Sequence, residues 1–244
     1  MMDVVVVIPA RMGSTRLPGK PLADIGGKPM VARVADIAHE AGIGEVFIAA
    51  GDDEIVDALP AYNVIKTPQN LPSGSDRVAW ALDRSHIDAD VIVNLQGDMP
   101  LLDSSALQKC VDSLRTTQAD ISTLVTKTPA LDIGADPSCV KTAVTWEHHG
   151  YGRALYFSRS WIPHGAEMLW YHVGIYAYTS QALKSFVQSP PHPLEELEKL
   201  EQLRALGMGM HIAVATYDQI PLGVDTPADL EHARLLLEEK NDQR

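Results

Sequence analysis

The chain has 244 residues, 45% of them hydrophobic, enough to bury the core of one large α/β domain or two small ones and too apolar for a disordered chain. Its 32 acidic and 20 basic residues give a formal charge of −12, which argues against nonspecific binding to nucleic acid or an anionic membrane surface and leaves any small anionic ligand dependent on local positive charge. Residues 1–10 show neither a basic leader nor a cleavage site, no apolar run approaches membrane-spanning length, and Cys110 and Cys139 lack metal-type spacing, so a cytoplasmic protein with reduced, structural thiols is expected.

Val4 to Ile8 is a continuous β-branched run, the pattern of a parallel strand buried on both faces. The segment that follows, Ile8 to Lys20, gathers Arg11, Arg16 and Lys20 into a loop without a carboxylate. Gly13 and Gly19 let a backbone approach a ligand closely, Ser14 and Thr15 add hydroxyls, and the cations offer charge-assisted hydrogen bonds to phosphate oxygens. Open α/β sheets bind ligands at such strand-to-helix turns, so a triphosphate is the expected guest. A solvated Gly/Pro surface turn is the competing reading, and the density of cations counts against it.

Further along, Pro29 suits a first helical position, and Met30, Val34, Ile37, Ala38 and Ala41 share one helical face before Gly42. Glu45 to Ala49, Asn63 to Lys66 and Val91 to Leu95 read as strands, and Asp76 to Arg84 and Asp103 to Leu114 as helices. This alternation predicts an α/β fold, a mainly parallel sheet covered by helices on both sides. Between these elements, Leu71 to Arg77 is a polar turn whose Ser73 and Ser75 can reach a base edge and whose Arg77 can meet phosphate or support a carboxylate; a plain capped helix start is the alternative. Asn94 to Pro100 ends a strand and brings Asp98 to the sheet's carboxyl edge, where the cationic loop is expected too.

After about Asp120 the pattern changes. Val140 to Trp146 and Arg153 to Phe157 flank His148-His149-Gly150 as a β-hairpin, and Tyr171 to Tyr178 follows as a strand, giving an inserted antiparallel region over about 139–178 of a single domain spanning 1–244. A helix from Leu194 to Leu206, a strand from His211 to Thr216, a helix from Thr226 to about Glu239 and a frayed end over Glu238 to Arg244 complete the reading. Before the last helix, Asp225 presents a second carboxylate, or else Asp225 or Thr226 caps that helix with Pro227 in the first turn. Two hard oxygen ligands with open positions suit Mg²⁺, which takes its remaining ligands from water and substrate phosphates.

Pro9-Ala10-Arg11, Ser14 to Lys20, Ser73 to Arg77, Gln96-Gly97-Asp98, Tyr156 to Arg159, His172 to Tyr176, Leu200 to Arg204 and Gly223 to Pro227 run in order along nearly the whole chain. In that order they resemble the 3-deoxy-manno-octulosonate cytidylyltransferases, the CMP-Kdo synthetases. The first motif is shared with other sugar nucleotidyltransferases; the Leu-Glu-Gln-Leu-Arg run and the His-x-Gly-x-Tyr strand carry the narrower likeness. The resemblance implies a Rossmann-like nucleotidyltransferase sheet and a Mg²⁺-dependent transfer of CMP from CTP to the anomeric hydroxyl of Kdo, releasing pyrophosphate, for lipopolysaccharide biosynthesis. By position it assigns catalysis to Arg11, Lys20, Asp98 and Asp225 and metal to Asp98 and Asp225. Ala10, Arg11, Ser14, Lys20, Ser73, Gly74 and Asp76 are assigned to the nucleotide, and Gln96, Arg159, His172, Tyr176, Glu201 and Gln202 to the sugar acid. It also implies a homodimer paired through the inserted hairpin, with no nucleic-acid partner and no membrane insertion.

The chain departs from that pattern in three places. Met99 stands where the family has Glu, Tyr171 stands before His172 where the family tends to carry Arg, and the segment from Pro163 to Tyr171 is short. These changes leave CTP handling intact and bear on the acceptor, an amino-substituted Kdo included. The competing readings are a cytidylyltransferase for another sugar acid such as sialic acid, and a nucleotide-sugar-binding module without turnover, against which Arg11, Lys20, Asp98 and Asp225 count. A dehydrogenase lacks its Gly-x-Gly-x-x-Gly fingerprint after the first strand.

Overall fold

The structure, a computed structural model, describes residues 3–147 and 150–242. In chain order the first half holds β1 (Val4–Ala10), β2 (Asp24–Ile25), β3 (Lys28–Pro29), α1 (Met30–Ala41), β4 (Glu45–Ala50), α2 (Asp53–Ala58), β5 (Val64–Lys66), α3 (Gly74–Arg84), β6 (Val91–Leu95) and α4 (Ser105–Thr117). The second half holds β7 (Ile121–Pro129), α5 (Ala130–Ile133), β8 (Lys141–Trp146), β9 (Tyr151–Ser158), β10 (Met168–Thr179), α6 (Ser180–Gln188), α7 (Pro193–Glu198), α8 (Gln202–Gly207), β11 (Ile212–Thr216) and α9 (Pro227–Asp242). The chain divides into two compact units, one of residues 1–107 with 221–244 and one of residues 108–220.

In the first unit β5, β4, β1 and β6 lie side by side, all parallel, with Val6 opposite both Val46 and Val93. Val5 to Ile8 are at most 2% exposed, as a β-branched strand covered on both faces must be. Helices α1 and α3 pack on β1 and β4, and Gly42 stops α1 in the left-handed conformation at φ 61°. Pro29, expected as the first helical residue, closes β3 and sits one position earlier, as the N-cap of α1.

The chain comes back to this unit at its end. Val224, Leu230 and Ala233 are buried with Leu17, Ile25 and Met30 in one apolar cluster, and Leu237 packs against it. Arg234 Nε also donates to the Asp24 carbonyl at 3.0 Å. These contacts continue α9 to Asp242, past the point at Glu238 where fraying was expected; residues 243–244 lie outside the described ones.

In the second unit β7 is flanked by β10, antiparallel, and β11, parallel; β11 pairs with β9, β9 with β8, and β8 also meets β10 at Lys141 and Tyr171. The mainly antiparallel layer expected from the sequence is therefore present, and β8 and β9 form the predicted hairpin. Its expected turn residues His148 and His149 lie outside the described residues. The single helix expected from Leu194 to Leu206 is two short ones, α7 and α8. Lys199 adopts φ 56° between them, and the Leu200 N–H returns to the Glu195 carbonyl at 3.3 Å, which tucks Leu200 inward at 6% exposure.

Candidate active site

A cavity of about 390 Å³ opens in the first unit at the carboxyl ends of β1 and β6, lined by Ala10, Arg11, Ser14, Lys20, Ser73, Gly74, Gln96 and Asp98 among others. Its size falls in the usual range for small-molecule sites, roughly 300–1,000 Å³. The cationic loop enters it from β1. Gly19 at φ 71° turns the backbone so that Lys20 to Leu22 form one 3-10 turn, and Ser14 Oγ accepts from the Leu17 N–H at 3.3 Å. Leu17 is 8% exposed, its side chain anchored in the cluster that holds Val224.

Lys20 Nζ donates to Asp98 at 2.7 Å and to Asp225 at 2.9 Å, and Arg16 Nη2 lies 3.1 Å from the same Asp225 oxygen. Two carboxylates from distant segments therefore meet the cationic loop at one rim, as the sequence predicts. Burial of Lys20 works against its charge, yet the two carboxylates outweigh it and the ammonium's pKa is raised. The backbone fixes this meeting: the Val224 N–H donates to the Asp98 carbonyl at 2.9 Å. Asp225 does not cap α9. Thr226 caps it, and Asp229 accepts from the backbone N–H groups of Asp225 and Thr226 at 3.0 and 2.8 Å.

Across the cavity, Ser73 is the N-cap of α3 and accepts from the Asp76 N–H at 3.2 Å, while its hydroxyl donates to the Asp76 carboxylate at 2.7 Å. Asp76 is thus held against Ser73 by the first turn. Gly74 and Gly97 permit close approach, since an added Cβ would stand 3.4 Å from Pro9 Cγ and from the Pro9 carbonyl respectively. Gln96 is steadied by Asn94, at 3.3 Å. The expectation that Ser75 meets a base edge is corrected: it is 1% exposed and accepts from Asn94 at 3.3 Å. Arg77, expected to meet phosphate or a carboxylate, donates to the Thr67 hydroxyl and to the carbonyls of Pro68 and Gln69 at 2.9 and 3.1 Å. It is 2% exposed, and burial lowers its pKa.

Asp52 escaped the sequence reading. It accepts from the Met12 N–H at 2.7 Å and from the Gln69 amide, which pins the cationic loop to the end of β4. Burial alone would raise this carboxyl, but those two donors hold its pKa below the ordinary value. The signal available was the Gly51-Asp52-Asp53 run at the carboxyl end of β4, beside β1.

The residues assigned by resemblance to the sugar acid, Gln96 apart, lie in the second unit. His172 on β10 is 7% exposed, edge-on to Phe157 at 5.1 Å and 5.4 Å from the Tyr176 ring. Thr123 Oγ1 stands 3.0 Å from His172 Nε2 and 3.0 and 2.8 Å from the carbonyls of Val173 and Ile175. Its single hydrogen goes to a carbonyl, so the hydroxyl accepts from an Nε2–H of His172. Burial pushes its pKa down to about 3, and burial also raises that of Tyr176. A register shift takes up Gly174 and Ile175, so that His172 and Tyr176, four apart in sequence, oppose Val125 and Thr123, two apart on β7.

Arg159 Nε and Nη1 donate to the carbonyls of Glu198 and Pro137 at 2.8 and 2.9 Å, and its backbone N–H to Glu198 Oε2 at 2.9 Å. Lys141, which the sequence reading also missed, is fully buried and donates to the carbonyls of Asp136 and Arg159 at 2.6 and 2.7 Å. Gln202 begins α8, next to Glu201. Arg204 is 6% exposed, makes a two-pronged ion pair with Glu195 at 2.6 and 2.9 Å, and lies over the Phe186 ring. Met99 is buried at 5% exposure, and Tyr171 packs against the cluster of Ala130, Ile133 and Leu169.

Among the described residues no cluster of three or more His, Cys, Asp or Glu side chains is arranged for a metal, and no helix is long and apolar enough to cross a membrane. The pair Asp98 and Asp225 does fit a hard divalent cation, because both carboxylates already converge on one positive charge and leave other coordination positions to solvent and phosphate.

A family model described as Cytidylyltransferase matches residues 5–212. The 3-deoxy-manno-octulosonate cytidylyltransferase of Parvibaculum lavamentivorans is 49% identical over 238 residues, covering 95% of this chain and 92% of its own, and that of Rhodospirillum rubrum is 49% identical over 239 residues, covering 96% and 95%. Among solved structures, a CMP:2-keto-3-deoxy-manno-octonic acid synthetase complexed with CTP superposes with a TM-score of 0.91 at 37% identity, covering 98% of this chain and 99% of that one. A UDP-glucose pyrophosphorylase, at 14% identity and a TM-score of 0.73 over 98% of this chain and all of its own, shares the fold.

Proposed function

This chain belongs to the 3-deoxy-manno-octulosonate cytidylyltransferase family, and on that premise we propose that it transfers CMP from CTP to the anomeric hydroxyl of Kdo, releasing pyrophosphate, for lipopolysaccharide biosynthesis. The observation that carries the reading is the convergence of Asp98, Asp225, Arg16 and Lys20 at the rim of a polar cavity of nucleotide size.

The substrates repel each other, because the acceptor is a carboxylate and CTP a highly charged triphosphate. Arg11 and Lys20 hold the triphosphate and neutralise charge on the departing pyrophosphate, while Ala10, Ser14, Ser73, Gly74 and Asp76 surround the nucleotide. The sugar acid meets Gln96, Arg159, neutral His172, Tyr176, Glu201 and Gln202, with Arg159 supplying positive charge for the carboxylate. The anomeric hydroxyl gives its proton to solvent and its oxygen bonds the α-phosphorus as the bond to the bridging oxygen of pyrophosphate breaks. No side-chain nucleophile enters. Positioning and charge stabilisation carry the acceleration, as in phosphoryl transfer generally. Asp98 and Asp225 would hold Mg²⁺, which, when bound, lowers the charge on the phosphate oxygens it meets.

The enzyme works in the cytoplasm as a homodimer. In the second unit Trp146, Leu155 and Met168 expose 36, 57 and 40% of their surfaces, and the Trp146 ring lies tilted against Trp170 at 4.5 Å; this exposed apolar surface supports such pairing. Sedimentation of the purified chain tests this.

Pyrophosphate release with each nucleoside triphosphate, crossed against Kdo, its amino analogue and a sialic acid, with and without Mg²⁺, tests the assignment. Turnover with CTP and Kdo that requires Mg²⁺ is expected; turnover with another nucleotide or with sialic acid alone refutes it. Met99, Tyr171 and the short 163–171 segment make the amino analogue the informative comparison.

A further inference from the structure

Two cations, Lys20 and Arg16, stand against two carboxylates, Asp98 and Asp225, so the rim is charge-balanced without any ion. The contact is specific. Lys20 bridges both aspartates, its side chain is only 15% exposed, and the Val224 to Asp98 backbone bond ties the two aspartate segments together. The same Lys20 lines the cavity together with Arg11, Ser14 and Arg16. One ammonium cannot neutralise the carboxylates and a triphosphate at full strength at once.

We infer that Lys20 is a mobile internal counter-ion: with the cavity empty it occupies the aspartate pair and excludes a divalent cation, and a triphosphate draws it away and opens the pair to metal. This rests on the metal role proposed for Asp98 and Asp225. Nucleotide and metal binding are then coupled, each tightening the other by the same factor. Arg16, 65% exposed and on Asp225 alone, is the weaker competitor.

The test is direct binding of Mn²⁺ to the nucleotide-free protein, read by the loss of the free-ion electron paramagnetic resonance signal. Lys20→Met is expected to bind Mn²⁺ on the order of tenfold more tightly than the unaltered protein, within the common range of site-to-site coupling. Adding Asp98→Asn to Lys20→Met is expected to abolish that gain, and Arg16→Met alone to give a smaller one. Equal or weaker Mn²⁺ binding by Lys20→Met overturns the counter-ion role, as does a gain that survives Asp98→Asn. A separate measurement, the Mg²⁺ dependence of turnover in Asp98→Asn with Lys20 intact, tests the underlying metal assignment: an unchanged Mg²⁺ requirement there removes the assignment itself.

Discussion

Thr226 and Asp229 bond each other across the first turn of α9: the Thr226 hydroxyl donates to the Asp229 carboxylate at 2.8 Å and accepts from the Asp229 N–H at 3.2 Å. The reciprocal cap leaves the Asp225 carboxylate to Lys20 and Arg16. Thr226→Ala is therefore expected to cost about 1 kcal/mol of stability through the lost cap. Asp225→Asn, which keeps the cap, is expected to leave the urea midpoint nearly unchanged while lowering kcat by roughly 100-fold or more, the scale of removing one electrostatic stabiliser. Equal losses of stability in the two variants would contradict this division of roles.

Asp98→Ala is expected to remove most turnover while CTP binding, measured by calorimetry, partly survives, since Arg11 and Lys20, the cations proposed to hold the triphosphate, are untouched. Chelation of divalent ions is expected to abolish activity in the unaltered protein and Mg²⁺ to restore it. Near-normal rates of Asp98→Ala at saturating Mg²⁺ would exclude its metal role.

Arg77 works as a buried strut. Its guanidinium bonds the Thr67 hydroxyl and the Pro68 and Gln69 carbonyls, and Gly51 leaves it room, since a Cβ there would stand 2.9 Å from Nη1. Arg77→Lys keeps the charge and loses the planar fork, so it is expected to destabilise the protein by about 2 kcal/mol or more. A chemical denaturation midpoint equal to that of the unaltered protein would show that the fork is dispensable.

His172 gives the pH dependence a sign. Its pKa in the folded chain is lowered to about 3, below the ordinary 6.5, so the stability it contributes is full above the unfolded value and is lost as pH falls toward 3. Between pH 7 and pH 5 this group alone is expected to account for about 2 kcal/mol of lost stability. Denaturation of His172→Phe at both pH values checks it: the variant's stability is expected to fall less over that interval.

The ion pair of Arg204 with Glu195 is buried at the arginine and largely buried at the glutamate, at 8 and 14% side-chain exposure. Arg204→Met leaves the carboxylate without its partner and is expected to cost about 3–5 kcal/mol, and Glu195→Gln/Arg204→Met together less than Arg204→Met alone. Thermal unfolding of the three proteins reads the difference.

The sequence made the cationic loop and Asp98 legible because a strand covered on both faces has no alternation, so its end, and the residues just beyond it, are sharply marked. It could not decide whether Asp225 was a cap, because the deciding partner, Asp229, lies inside a helix whose first turn commonly carries an acid. Asp52, Lys141 and Arg77 were hidden for a different reason. Each acts by hydrogen bonds to main-chain atoms of other segments, with the Met12 N–H and the Arg159 and Pro68 carbonyls among the partners, and backbone atoms carry no residue identity for a motif to display. The break at Lys199 was equally silent, since the apolar spacing of residues 194–206 is helical throughout while Leu200 is buried by the turn.

Because Val224 shares its apolar cluster with Leu17, and Asp225 its ion pairs with Arg16 and Lys20, the cationic loop after β1 is completed by a segment 205 residues beyond Lys20. A chain that stops after β11 keeps every cation of the loop and Asp98, and lacks Asp225 and the apolar cover that Val224 and α9 place over Leu17.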